Sequence, residues 1–376
     1  MSAIGEDARG NGAASRIEFR GFNREVSRGQ KLAFLLECRQ ALAAGGLLAV
    51  ASEEDEELSP LARLAGLEPA PGGYTKRARR LAGDPLVSIL IPAYNARFFE
   101  ASLDSALAQI YRNLEIVVCD DSPGPQIEEI ARGRAGDLPI RYERNETRLG
   151  PRGNFTRCFE RARGEFVKFL CDDDLLAPDC VASLLEAFRR APDVALAISR
   201  RRRIDASGAE LGDQPATVPI LHEDALVSGR TLANAMIMAG LNFVGEPSTA
   251  LFRKSDLLDQ APEYFRFDGE PGHGIIDMVT WAALLLKGDA VYHARPFSAF
   301  RIHLGQRQHD PAKAHRNIAS IRALQAAWLG LGLHEGLPPD RLLTRPFPAS
   351  DSVAWRWRPV LGFAARPIER GLARFG

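Results

Sequence analysis

Three consecutive carboxylates, Asp172, Asp173 and Asp174, stand inside the stretch 169–180, FLCDDDLLAPDC. Phe166-Val167 and Phe169-Leu170 read as the end of a buried strand. Leu175-Leu176 and Pro178 lead into a helix. Aspartates crowded on one strand end repel each other. At ~4 Å and an effective dielectric near 20, each like pair costs about 4 kcal/mol. A hard divalent cation that takes oxygen ligands, Mg²⁺ or Mn²⁺, turns that repulsion into binding and keeps positions open for substrate phosphates. One reading is therefore a metal–diphosphate site. The other is a solvated acidic turn in which Asp174 or Asp179 caps a helix. The stretch alone does not choose between them.

The elements around it place this turn on a rim. Residues 87–95, VSILIPAYN, read as a buried β-rich strand ended by Pro92. Residues 98–110 carry the apolar spacing of a helix. A second strand, 114–119, ends in Asp120-Asp121-Ser122. A helix over 125–132, a short strand over 140–142, the loop ERNETRLGPRGN, a helix over 154–163 and the strand to Leu170 follow. Strand and helix alternate four times, which predicts an α/β fold with a mostly parallel sheet and helices on both faces. In such sheets ligands bind beyond the carboxyl ends of the strands. Residues 92–95, Asp120-Asp121 and the three aspartates all lie there.

Taken in order, VSILIPAYN, IVVCDDS, the loop with Asn145, Gly150 and Asn154, RARGEFVKFL and the DDD-LL-x-P turn resemble a family 2 glycosyltransferase of the GT-A fold. The match is strong over about 85–200 and continues more weakly to about 310. The resemblance implies a nucleotide-diphosphate sugar donor, a divalent metal and inversion at the anomeric centre. It puts Pro92 and Tyr94 beside the base and Asp120 and Asp121 on base or ribose donors. Arg148 or Arg152 would face the nucleotide or its phosphates. Asp172 would lie near the ribose, and Asp173, with Asp174 next to it, would hold the metal. Many members read D-x-D-D here. This chain has Cys171 where the first aspartate often stands, and Asp172 would compensate.

Further on, residues 194–198 read as a strand. Residues 200–203 are four arginines before a turn, expected as a solvated edge strand whose alternate arginines face water. NFVGEPSTALFRKSDL resembles a stretch that family members place near the donor sugar, and the resemblance would offer Glu246, Ser248 and Thr249 to sugar or acceptor hydroxyls. Asp277 opens an apolar helix, 278–286. A carboxylate there suits the helix dipole by itself. The resemblance makes it the general base, because in-line inversion needs a group to take the acceptor hydroxyl's proton. His273 is the alternative base. His303 matches a family histidine in an R-x-H passage, for the metal or the diphosphate, and Arg301 and Gln308 share its loop, expected as a lid.

The whole chain bounds these readings. Of its 376 residues 45% are hydrophobic and 26% charged, with formal net charge zero, so nothing global points to nucleic acid. The five cysteines are scattered, which argues against disulfides and structural zinc and suits a reducing cytoplasm. No apolar run reaches the ~18 residues of a membrane helix, and the N-terminus lacks the apolar core of a secretory signal. Residues 1–84 read as an appendage, with the first 15 disordered. Its ECRQALAAGGLLAVAS, a helix stopped by Gly45-Gly46 and then a strand, resembles the late part of Rossmann-type methyltransferases without their glycine-rich cofactor loop. Residues 53–57, EEDEE, and the basic run 76–80 read as solvated surface. Residues 85–310 would be the transferase domain and 311–376 a helical extension. From Arg345 on, arginines interleave with Trp355, Trp357, Phe363 and Phe375. That pattern suits either docking to an anionic membrane surface, as a lipid-linked saccharide acceptor would require, or a helix packed on the domain.

Overall fold

A computed structural model describes residues 14–19, 22, 26–50, 56–76, 79, 81–134, 139–304, 311–348 and 353–361. Expectations for the first 13 residues, most of EEDEE, most of the run 76–80, Gln308 with the lid, and the chain beyond 361 lie outside the described residues.

The N-terminal unit has its own four-stranded sheet. β1 (Ala14–Phe19) runs parallel to β2 (Leu42–Val50), with α1 (Arg28–Ala41) between them. α2 (Leu58–Leu64) follows, then β3 (Glu68–Ala70) and β4 (Gly73–Thr75), giving the order β1-β2-β4-β3. α1 starts at a capping box: the Ser27 hydroxyl accepts from Gln30 N, and the Gln30 side chain returns to Ser27 N. Leu32, Leu35 and Cys38 form its buried face. Gly45-Gly46 do not stop this helix. It ends at Ala41, and the glycines sit in a bulge of β2, where residues 42 and 47 face residues 14 and 16. Gly45, at φ 81°, takes the left-handed turn the bulge needs. The unit is bolted to the rest by charged pairs, including a bidentate Arg79–Asp256 bridge at 2.8 and 2.9 Å whose side chains are both buried.

The larger sheet has twelve strands. Its parallel part comes from β5 (Val87–Ala93), α3 (Ala96–Leu107), β6 (Leu114–Asp120), α4 (Gln126–Gly133), β7 (Ile140–Arg144), α5 (Gly150–Arg161) and β8 (Phe166–Phe169). Ile89 and Ile91 of β5 enter one core with Ile116 and Val118, while Leu90 enters the other with Val117 and Val167. Both faces are buried, which is why these strands read as continuous apolar runs.

Next come β9 (Leu175–Leu176), α6 (Cys180–Arg190), β10 (Val194–Ile204), β11 (Glu210–Leu211), β12 (Ala225–Val227), α7 (Gly229–Ala239) and β13 (Ala250–Arg253). α8 (Ile276–Lys287), β14 (Asp289–Arg301), α9 (Pro311–Gly330), β15 (Arg341–Pro346) and β16 (Arg356–Pro359) complete the chain. The main path runs β16-β15-β12-β14-β10-β13-β8-β5-β6-β7.

Two expectations change here. The arginine strand is not an edge: β14 pairs along residues 201–204 and β11 pairs with Arg203 and Ile204 on the other side, and Arg201 and Arg203 are buried while Arg202 is exposed. Alternation was readable from the sequence, but the neighbours were not. The extension is helical only through α9. β15 and β16 then continue the large sheet by pairing onto β12. No described helix is long and apolar enough to cross a membrane.

Candidate active site

β5 and β8 are neighbours, yet the chain leaves β5 towards β6 and β7 and returns to β8 on the other side. That reversal opens a crevice at their carboxyl ends, the usual ligand position in open α/β sheets. Asp172 spans it. Its Oδ2 accepts from Tyr94 N at 2.6 Å and Asn95 N at 2.7 Å. Burial, and then the neighbouring Asp173, push the Asp172 carboxyl up to about 6. Tyr94 is 39% exposed beside it, with the Arg148 guanidinium 4.6 Å over its ring. Tyr94, Arg148 and Asp172 are thus brought together at the crevice. Pro92 is buried in β5, opposite Cys119.

Asp173 lies next along the rim. The His303 Nε2, on a nearly buried ring, is 3.2 Å from its Oδ2. Two ligands that each sit ~2.1 Å from an octahedral ion at a right angle are about 3 Å apart. Asp173 and His303 are therefore spaced as two neighbouring ligands of a divalent ion would be. Among the described residues no three acidic, imidazole or thiolate groups form a cage that would hold an ion unaided. Phe98 supports the pair, with its ring 4.8 Å from His303 and 4.7 Å from the Arg301 guanidinium.

Asp174 does not join Asp173 as expected. It is 1% exposed. One carboxylate oxygen accepts from Ser248 Oγ at 2.6 Å and the other from Arg301 N at 3.1 Å. Burial raises its pKa well above the ordinary value. Ser248 Oγ also accepts from Cys171 N at 3.0 Å, and Ser102 Oγ binds the carbonyls of Cys171 and Asp174. Asp174 is the anchor that fixes the turn, and Ser248 serves that anchor instead of a sugar hydroxyl. Thr249 is likewise buried and donates to the Val244 and Glu246 carbonyls.

Three more rim residues have structural partners. Asp120 is fully buried and accepts from Tyr142 Oη at 2.7 Å and Ser122 N at 2.8 Å. Asp121 accepts from Leu149 N, Gly150 N and Asn145 Nδ2 at 2.7, 2.9 and 3.1 Å, which shapes the loop carrying Arg148. Arg152 turns away from the nucleotide side. Its guanidinium donates to the carbonyls of Tyr264, Phe265 and Pro271. A side chain with donors in a rigid fork is well suited to pinning a loop by its carbonyls.

Asp277 sits in the first turn of α8 beside a small apolar pocket lined by Phe155, Phe169, Phe252, Phe265 and Trp281. Burial there pushes its carboxyl up to about 6, against the Met278 N hydrogen bond that favours ionisation. Oδ1 takes that bond at 2.8 Å, and Oδ2 accepts from Asn242 Nδ2 at 2.7 Å. Asn242 is in turn locked to Gly245, whose carbonyl also accepts from Trp281 Nε1 at 2.9 Å. Gly245 has φ 119°, and a Cβ there would lie 2.6 Å from Thr249 Cγ2, so only glycine fits. Glu246 adds negative charge near Asp277 and pairs with Arg201 at 2.5 Å. His273, the other candidate base, is exposed. Asn242 was not singled out, though it sits in a turn-type sequence that hints at local bonding. Arg201 was marked only as one of the four arginines of 200–203.

With the rim and the Asp277 pocket in place, a model for glycosyl transferase family 2 matches residues 88–257. The chain belongs to that family. This glycosyltransferase has the α/β GT-A fold the resemblance implied. It is 30% identical over 252 residues to the uncharacterized protein MT1568 of Mycobacterium tuberculosis, covering 65% of this chain and 76% of that one. A GalNAc(5)-diNAcBac-PP-undecaprenol beta-1,3-glucosyltransferase of Campylobacter jejuni is 31% identical over 105 residues, 27% of this chain and 34% of that one. An Escherichia coli chondroitin synthase is 32% identical over 127 residues, 33% of this chain and 18% of that one. The glycosyltransferase thus spans about a third or less of these two named relatives. Among solved structures, S. aureus TarS 1–349 in complex with UDP-GlcNAc overlaps with TM-score 0.49 and 20% identity, covering 64% of this chain and 66% of that one. Mannosyltransferase PcManGT from Pyrobaculum calidifontis, in complex with GDP-Man and Mn²⁺, overlaps with TM-score 0.44 and 18% identity, covering 69% and 72%.

Proposed function

We propose that this glycosyltransferase moves a sugar from a nucleotide-diphosphate donor to an acceptor hydroxyl with inversion, using Asp277 as general base. The observation that carries the reading is Asp277 itself. It is a carboxylate beside an apolar wall and near Glu246, held by Asn242 and Met278 N, with its proton affinity raised to about 6. At neutral pH it is ionised, yet basic enough to take a hydroxyl proton as the acceptor oxygen attacks. The proton passes to Asp277, the new carbon–oxygen bond forms, and the bond to the diphosphate breaks with its electron pair on the nucleotide. Tyr94, Arg148 and Asp172 would hold the base and ribose. Asp173 and His303 would hold Mg²⁺ or Mn²⁺, which when bound stabilises charge on the diphosphate as a Lewis acid. Arg301 and Phe98 keep His303 and the aspartate turn in place.

The acceptor would be a saccharide, free or lipid-linked, in surface polysaccharide or glycan assembly on the cytoplasmic side. Exposed Trp357, Arg341 and Arg356 along β15 and β16 support contact with an anionic membrane surface. The test is calorimetric titration of UDP-, GDP- and dTDP-sugars with and without Mn²⁺, on wild type and Asp173→Ala. Metal-dependent binding of one nucleotide, lost in the variant, is expected. No binding by folded wild type would remove the mechanism. The anomeric proton coupling of the product, read by NMR, tests inversion.

A further inference from the structure

A cleft of about 670 Å³ opens between α2 of the N-terminal unit and the loop 259–269. Small-ligand sites occupy roughly 300–1,000 Å³. Lys287, at the far end of α8 from Asp277, lines it. The ten residue steps of helix from Asp277 to Lys287 rise roughly 15 Å. The cleft is therefore separate from the base pocket, but it shares a wall with it.

Its polar lining alternates donors with acceptors. Arg28 pairs with Asp268, one bond being 2.6 Å, Arg266 with Glu263 at 2.7 Å, and Lys287 with Asp259 at 2.6 Å. Arg63 adds an exposed fourth cation. Four cations against three carboxylates leave little net charge, so an anion gains little by entering. A polyhydroxylated ligand gains more, because each hydroxyl both donates and accepts. A guanidinium beside a carboxylate offers both partners within one sugar's span. Pro60 and Pro262 supply the flat apolar surface against which a sugar face can rest.

The loop connects this cleft to the chemistry. Its outer side lines the cleft, while Phe265 points inward into the wall of the Asp277 pocket. Phe265 has φ 63°, a conformation costly for a bulky side chain. Arg152 holds it there by binding its carbonyl and those of Tyr264 and Pro271.

We propose that the cleft binds distal, neutral sugars of an extended acceptor glycan whose reacting end lies at Asp277. This rests on the transferase reading above. The full chain would be screened on an array of neutral, amino and acidic oligosaccharides, beside Asp173→Ala, Arg63→Glu and the plugging variant Ser59→Trp, each checked for folding by circular dichroism. A neutral oligosaccharide should bind wild type and Asp173→Ala alike, and about tenfold or more weakly in each cleft variant. Binding of no oligosaccharide, of acidic ones alone, or binding that both cleft variants leave unchanged would overturn the proposal. Nucleotide-sugar titration on the same samples separates the two readings. Normal donor binding without glycan binding removes only the cleft, whereas absent donor binding removes the transferase mechanism beneath it.

Discussion

The aspartate rim and the Asp277 pocket give the same side chain different partners. On the rim, three carboxylates are adjacent in sequence, and the fold separates them by partner. Asp172 is tied to the end of β5, Asp174 is buried on Ser248 and Arg301 N, and Asp173 is left toward His303. In the pocket, Asp277 is flanked by aromatic rings. Burial and neighbouring negative charge both favour a proton, at Asp172 and Asp174 as at Asp277, whereas a cation bound beside Asp173 would favour the ionised form. One arrangement suits holding a metal and diphosphate. The other suits taking a proton. A single residue type can serve both because the surroundings, and not the side chain, set which positive partner is stabilised.

Exchanging carboxylate for amide should break the comparison most clearly at Asp277. Asp277→Asn is expected to lower kcat by about 10²–10⁴, the usual worth of a general base, with donor affinity nearly unchanged. Equal loss of both, by steady-state kinetics and calorimetry, would make Asp277 a binding residue and erase the contrast. Asp173→Ala and His303→Ala should each weaken Mn²⁺-supported nucleotide binding about 10–100-fold, with little change when the metal is omitted. Identical behaviour of Asp174→Asn would undo the division of labour on the rim.

Ser248→Ala tests the anchor. It leaves a buried Asp174 oxygen and the Cys171 N–H unpaired, so urea denaturation should show a loss of about 1–3 kcal/mol. A neutral result would mean that the turn stands without it. The smallest effect sharpens the pocket. Asp277 holds its proton more tightly in the folded chain than in the unfolded one, at about 6 against an ordinary 3.8. Its contribution to stability therefore falls as pH rises from about 4 to about 6 and stays low above that. Asp277→Asn should be about 1–2 kcal/mol more stable than wild type at pH 8 and no more stable at pH 4, measured by thermal melts at each pH. In wild type the acid limb of kcat/KM should fall near pH 6. Asp277→Glu should move that limb and Asp172→Asn should not.

The sequence alone determined the alternation of β5 through β8, the rim at their carboxyl ends, and Asp277 at the start of α8. These rest on short-range facts: the periods of strand and helix, the residues that end them, and motifs contiguous in the chain. Only the tertiary structure decided that Asp174 is an anchor while Asp173 faces His303, because the deciding partners, Ser248 and Arg301, lie 74 and 127 residues away. It likewise turned Arg152 from the nucleotide to the 264–271 loop, over 100 residues on. It buried two of the four β10 arginines, Arg201 against Glu246 and the Ala216 and Asn242 carbonyls and Arg203 against β11, and it carried the chain after α9 into the sheet as β15 and β16. Local sequence fixes which groups reach the rim. Burial and hydrogen-bond partners, which depend on residues distant in the chain, fix what each group can do there.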